Sequence, residues 1–243
     1  MRKNDIGDYI HKEEMVLQDS LKKSQDLISN INELLVLLSD IVIFEDKKAG
    51  SFFLLSNQVK NDLYLCLLSA LRGHETQSKL MKRQAIEKAC LAAYSLVEPN
   101  IEKFLGQDED GAKPIKAALV NSFKYVEKEF PSHSQKLKQI KDMINNFYAH
   151  WNMFNSLSKE DHFGFIDSRD VVMQKAFLWE IGYLTIVIFD LWYLALEKCS
   201  FAKRNQQIHM RFVQAVKINQ KYREGFMNHE RFAKYKSRYN NEV

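Results

Sequence analysis

Apolar side chains recur every three or four positions along most of this chain, the spacing of helices with one buried face. The first such stretch, from Ile6 to about Asp46, predicts one long N-terminal helix. Later stretches predict helices at 52–71, 75–97, 114–130, 132–154, 170–198 and from about 203 to 225. Glycine and proline mark the joints at Gly50, Gly73, Pro99 and Pro131. No repeat of fixed period is visible.

One of these helices is apolar nearly all round. The run from Ile181 to Leu196 has 16 residues, includes Asp190 and follows Glu180. A membrane span needs about 20 apolar residues and rarely holds a carboxylate. The pattern therefore predicts a buried central helix, and no membrane contact is expected.

Composition narrows the fold class. The 243 residues include only eight glycines and three prolines, too few for a turn-rich β or α/β fold, so an all-α bundle is predicted. Cys66, Cys90 and Cys199 lie in apolar runs without metal-ligand or disulfide spacing, which is typical of a reducing compartment. Residues 1–10 lack the apolar core of a signal peptide, and no cofactor or metal motif is present. We therefore expect a cytoplasmic protein with no cofactor and no metal.

Charge is unevenly distributed along the chain. The net charge is +4, yet residues 203–238 hold ten basic and two acidic side chains, or +8, which leaves −4 elsewhere. Three segments are therefore predicted: a long N-terminal helix (1–49), a helical bundle (50–200) and a basic, aromatic-rich C-terminal arm (201–243).

The basic arm has three possible roles. Cations interleaved with aromatic rings suit single-stranded nucleic acid, and they also suit a helix packed on the acidic body or a membrane surface. If the arm contacts nucleic acid, the candidate side chains are Arg211, Lys217, Lys221, Arg223, Arg231, Lys234, Lys236 and Arg238.

The stretch from Lys141 to Asn155 is the most informative for function. It interleaves asparagines and His150 with large aromatic side chains at the end of a predicted helix. A histidine near neutral pKa suits proton transfer, whereas asparagines at a helix end also cap carbonyl groups without any further role. Both the functional and the structural interpretations remain open.

The string Asn145-Asn146-Phe147-Tyr148-Ala149-His150 resembles the motif of HEPN ribonucleases, in which an arginine precedes a histidine on a helix. The segment from Leu80 to Glu87, which includes Arg83, is similar to a helix of bacterial HEPN-like proteins. The resemblance covers roughly residues 50–200. It implies a HEPN-like helical bundle that pairs as a homodimer or larger oligomer and acts on RNA, in bacterial stress or phage defence.

The resemblance also implies roles for particular residues. His150 would transfer protons in a metal-independent attack of an RNA 2′-hydroxyl on its phosphate, with Asn145 at the arginine position of the motif. Asn146, Asn152, Arg83 and Lys141 would contact the nucleic acid. An amide carries no charge, so a cation from Arg83 or Lys141 would have to replace the missing arginine. Whether the chain is an enzyme stays open.

A second hypothesis is a non-catalytic helical interaction subunit, scaffold-like or antitoxin-like, that self-associates. The apolar seam of the predicted first helix offers a surface for this. A partner protein is compatible with either hypothesis.

Overall fold

The computed structural model describes residues 6–104, 113–145 and 171–228. In chain order it contains α1 (Ile6–Lys23), α2 (Gln25–Ser39), β1 (Val42–Phe44), α3 (Gly50–Leu71), α4 (Glu75–Ser95), α5 (Lys113–Glu129), α6 (Pro131–Ile144), α7 (Val171–Glu197), β2 (Ala202–Arg204) and α8 (His209–Met227), with three short 3-10 turns. The predicted all-α class is confirmed, with one small two-stranded sheet in addition.

Helix α7 is the central helix of the bundle. Its buried side chains include Leu178, Ile181, Ile188 and Trp192, and the Trp192 indole donates a hydrogen bond to the carbonyl of Ala89 at 3.0 Å. By length and composition the span Gln174–Glu197 could cross a membrane, but 67% of its most apolar 18-residue stretch is buried inside the bundle. The predicted buried central helix is confirmed.

Helices α3 and α4 form a tight antiparallel hairpin. The chain reverses at Gly73, whose φ of 86° lies in the left-handed region that glycine adopts without strain. The His74 amide then donates to the carbonyl of Ser69 at 2.8 Å, which closes α3 in the manner of a helix C-cap. This hairpin fixes the face of α4 on which the candidate site lies.

The predicted helix from Ile6 to Asp46 is wrong in two places. The helix is interrupted at Ser24, which separates α1 from α2. Helix α2 then ends at Ser39, because residues 42–44 form a strand. Strand β1 runs antiparallel to β2, with Ile43 opposite Lys203. The prediction that a helix begins near Lys203 is wrong for the same reason, since α8 begins only at His209.

The two strands belong to a repeated arrangement. The arrangement occurs twice, as α2-β1-α3 and as α7-β2-α8, and in both a helix is followed by a three-residue strand, a 3-10 turn and a second helix. A side-chain oxygen caps the 3-10 turn in both: the Lys48 amide donates to Asp46 Oδ1 at 2.9 Å, and the Gln207 amide donates to Asn205 Oδ1 at 3.1 Å. The two halves meet at the strand pair.

The C-terminal helix α8 packs into the bundle. Phe212 and Ala215 are buried in a core that also holds Leu27 of α2 and Leu184 of α7. The predicted boundaries near 49 and 200 therefore do not separate independent cores among the described residues. What was predicted as an extension is, from residues 209 to 227, a structural helix of the bundle.

Candidate functional site

Two cations from different helices converge on the carboxylate of Glu87 in α4. The Arg83 Nε lies 3.3 Å from Glu87 Oε1, one turn earlier on the same helix. The Lys141 Nζ reaches the same oxygen from α6 at 3.0 Å. Arg83 and Glu87 thus form an intrahelical pair, and Lys141 is a third member that spacing along the sequence could not show.

The cluster is partly sheltered from solvent. The side chains of Lys141 and Glu87 are 22% and 25% exposed, whereas Arg83 is 41% exposed. The Lys141 ammonium also lies 4.4 Å from the ring centroid of Phe123 on α5, within the range of a cation–π contact. Helices α4, α5 and α6 thus hold the lysine in place while the arginine faces solvent.

Asn145 follows Lys141 by one helical turn and caps the C-terminus of α6. Its backbone amide donates to the backbone oxygens of Lys141 and Asp142. Its side-chain oxygen Oδ1 is buried and accepts no hydrogen bond within the described part of the chain. A buried carbonyl oxygen without a donor is costly, so this atom has capacity for a further hydrogen bond.

The buried thiol of Cys90 lies near the cluster. Burial raises the pKa of the Cys90 thiol to about 12, against a smaller lowering by the Lys141 ammonium. The thiol is therefore fully protonated at neutral pH and unsuited to nucleophilic attack. The chemistry available to the cluster comes from its charges and from the Asn145 amide.

The formal charges of Arg83, Lys141 and Glu87 sum to +1. Glu87 orients both cations, and the guanidinium uses its Nε on the carboxylate while its two terminal nitrogens carry its other donors. A fork of this kind suits the oxygens of a phosphate group. The arrangement can therefore bind an anion.

Several predicted site residues lie outside the described residues. These are His150, Asn146 and Asn152 in 146–170, and Arg231, Lys234, Lys236 and Arg238 beyond residue 228. Segment 146–170 begins directly after Asn145, which lies one helical turn beyond Lys141 of the cluster.

The other candidate cations of the basic arm, Arg211, Lys217, Lys221 and Arg223, lie on α8 in different settings. Arg211 forms a two-point ion pair with Glu33 of α2, at 2.9 and 3.2 Å. Lys217 and Lys221 are exposed and one turn apart, and Arg223 is half-buried. The α8 cations and the Arg83–Lys141 cluster are on separate helices, and no described contact joins them.

Sequence reasoning missed a second group of lysines, on the buried face of α4. The Lys82 side chain is only 2% exposed, with its Nζ 2.8 Å from Glu180 Oε2 and 3.9 Å from the centroid of the Phe177 ring. Lys79, 7% exposed, pairs with Glu75 at 3.0 Å. Burial lowers the pKa of Lys79, an effect that Glu75 partly offsets. A hydropathy pattern places lysines in solvent and offers no signal for this arrangement.

Within residues 6–104, 113–145 and 171–228, no group of three or more His, Cys, Asp or Glu is placed to hold a metal ion. The geometry of the site thus rests on the Glu87 cluster and Asn145. Comparison of the chain with protein-family models, with curated proteins and with solved structures finds no match.

Proposed function

We propose that the chain is a HEPN-like RNA-binding protein in which Arg83 and Lys141 hold an RNA phosphate. The observation that carries the proposal is the convergence of these two cations, from α4 and α6, on the single carboxylate of Glu87. The two cations and the Glu87 carboxylate together carry a net charge of +1. The chain therefore has a cation one helical turn before Asn145, the residue at the arginine position of the motif.

A phosphate at this site would take donors from the exposed guanidinium of Arg83. Lys141, held by Glu87 and Phe123, adds a fixed positive charge, which attracts phosphate more strongly in a sheltered site than in open solvent. These two contacts suit a phosphate group of RNA.

The binding test uses a labelled single-stranded RNA and the full chain in a fluorescence anisotropy titration over a salt series. Removing one phosphate contact by Lys141→Met should weaken binding about three- to tenfold and reduce the salt slope by roughly one. Glu87→Gln, which raises the cluster charge to +2, should strengthen binding. Lys203→Gln is the matched control, because Lys203 also pairs with a glutamate, Glu45, but lies at the strand pair.

Two outcomes of this titration would contradict the proposal. If Lys141→Met and Lys203→Gln bind RNA alike, the Glu87 cluster is not the binding site. If the affinity instead falls only when residues 229–243 are removed, the C-terminal arm carries the binding.

Cleavage is a separate step in this proposal. With His150 as the proton-transfer group and Arg83 or Lys141 as the charge-stabilising cation, the chain would cut RNA without metal. Incubation with total RNA in the presence of a chelator, beside His150→Ala, tests this. RNA that stays intact at a protein concentration sufficient for binding leaves RNA binding as the function and removes the nuclease.

A further inference from the structure

Helix α3 presents a solvent-exposed seam along its whole length. Its members alternate in steps of four and three residues, the spacing of a coiled-coil seam. The seam consists of Leu54, Gln58, Asn61, Leu65, Leu68 and Arg72, all exposed. The three leucines are 47%, 50% and 42% exposed, and Phe53 beside them is 48% exposed. Large apolar side chains repeated on one surface face are typical of a contact surface.

The same helix is nearly free of charge. Between Gly50 and Leu71 the sequence has only Lys60 and Asp62 as ionisable acid or base side chains apart from a tyrosine and a cysteine. Asp62 is buried and paired with Lys88 at 2.7 Å, and Lys60 is half-buried and off the seam. Depletion of charge with retained amides and leucines is the composition of an interface core.

The seam is self-complementary about the middle of α3. Leu54 and Leu65 lie at equal distances on either side of the amide pair formed by Gln58 and Asn61. In an antiparallel arrangement of two such helices, Leu54 meets Leu65 of the second copy, and Gln58 meets Asn61 of the second copy. Phe53 and Leu68 then cover the two ends of the contact.

We propose that α3 is the interface of a symmetric homodimer, in which two copies pair their α3 helices antiparallel in this register. The 22 residues of α3 span roughly 33 Å, and a contact about two helix widths broad would cover on the order of 600–700 Å² per copy. Stable dimers bury about 800 Å² per partner, so the area is close to what is needed. The absence of seam charges from Leu54 to Leu68 means that two identical faces meet without repulsion.

This interface is independent of the RNA proposal. It uses none of Arg83, Glu87, Lys141 and Asn145, so loss of dimerisation and loss of RNA binding can be scored separately. It also differs from the first predicted helix, which sequence analysis offered as the surface for association.

Sedimentation equilibrium of the full chain, from about 1 to 100 µM, tests the proposal. Leu65→Glu places a carboxylate against Leu54 twice in each dimer, so the dimer Kd should rise at least roughly 100-fold. Val120→Glu is the matched control, because Val120 is 52% exposed on α5 and away from the seam, and it should leave the Kd unchanged. Circular dichroism verifies that both variants are folded.

The register is tested by oxidation of a variant that carries both Leu54→Cys and Leu65→Cys. These positions are about 16 Å apart on one helix, too far for a disulfide within one chain, so the covalent dimer must join two copies. In the proposed register position 54 meets position 65, so neither single-cysteine variant should form a covalent dimer. A wild-type chain that sediments as a monomer at 100 µM, a Leu65→Glu chain that dimerises like wild type, or a double-cysteine variant that stays uncrosslinked would each overturn the proposal.

Discussion

The carboxamide of Asn219 on α8 lies directly over Gly182 of α7. A Cβ built at Gly182 would stand 2.6 Å from Asn219 Oδ1 and 3.5 Å from a side-chain carbon of Ile31. Three helices, α2, α7 and α8, thus meet at a position that only glycine fits. Asn219 is 2% exposed, so its side chain has little room to move away from an added methyl group.

We expect Gly182→Ala to lower the free energy of unfolding by about 1–3 kcal/mol, because the added methyl group overpacks this crossing. Urea unfolding followed by circular dichroism measures it. Gly225→Ala is the matched control, since a Cβ added at this position of α8 would meet nothing within 4 Å; it should be neutral or stabilising by up to about 1 kcal/mol. Adding Asn219→Ala to Gly182→Ala should recover part of the loss, and strict additivity of the two changes would contradict the steric explanation.

The ion pair of buried Lys82 and half-exposed Glu180 should respond unequally to the loss of either partner. Glu180→Gln leaves an ammonium that is 2% exposed without its anion and should lower the free energy of unfolding by about 1–3 kcal/mol. Lys82→Met fills the same space without a buried charge and leaves Glu180, 46% exposed, solvated, so the change should be within about 1 kcal/mol of wild type or stabilising. Thermal and urea unfolding compare the two, with exposed Glu127→Gln as the neutral control.

Lys79 gives a dependence of stability on pH. Burial lowers its pKa in the folded chain, so at neutral pH the folded state carries the cost of a sheltered charge that the unfolded chain does not. As the pH rises through this lowered pKa towards 10.5, the folded chain releases the proton first and the cost falls.

Lys79→Met should therefore stabilise the protein at pH 7, and the gain should shrink as the pH approaches 10.5. Urea unfolding at pH 7, 9 and 10 measures the difference between variant and wild type at each pH. Lys217→Met, at an exposed position on α8, should change little at any pH. A gain from Lys79→Met that grows with pH would contradict the assigned sign.

Apolar packing should hold α8 in place far more than its ion pair does. Phe212 is 5% exposed and stacks on Phe189 with ring centroids 3.8 Å apart, so Phe212→Ala should cost about 3–5 kcal/mol. The neighbouring Arg211 pairs with Glu33, but these side chains are 50% and 38% exposed, so Arg211→Ala should cost at most about 1 kcal/mol. Equal losses from the two variants would show that the ion pair contributes more than its exposure allows.

Local periodicity located most helices closely. The predicted 52–71, 75–97 and 114–130 correspond to α3, α4 and α5, and α7 begins and ends within one residue of its prediction. Glycine and proline mark these ends through their own backbone preferences, which operate within a few residues. The sequence alone also identified α7 as the enclosed helix, since a helix that is apolar on all sides must be covered on all sides.

Pairing between segments distant in the sequence explains the strands that local periodicity did not predict. Strands β1 and β2 are three residues long and about 160 positions apart, so neither carries a local signal strong enough to interrupt a helical pattern. The repeated arrangement of α2-β1-α3 and α7-β2-α8 lies in the connectivity and the caps, without a matching sequence period.

The sequence by itself determined that this is a helical protein with a core helix at α7, and it named Arg83 and Lys141 as cations worth weighing. Only the tertiary structure brought both onto Glu87, buried Lys82 behind Phe177 and left the leucines of α3 in solvent. A hydropathy value describes how a residue type partitions between water and an apolar phase, whereas the exposure of a residue in the folded chain depends on its actual neighbours. A lysine can therefore be buried beside a carboxylate and an aromatic ring, while a leucine on another face stays exposed.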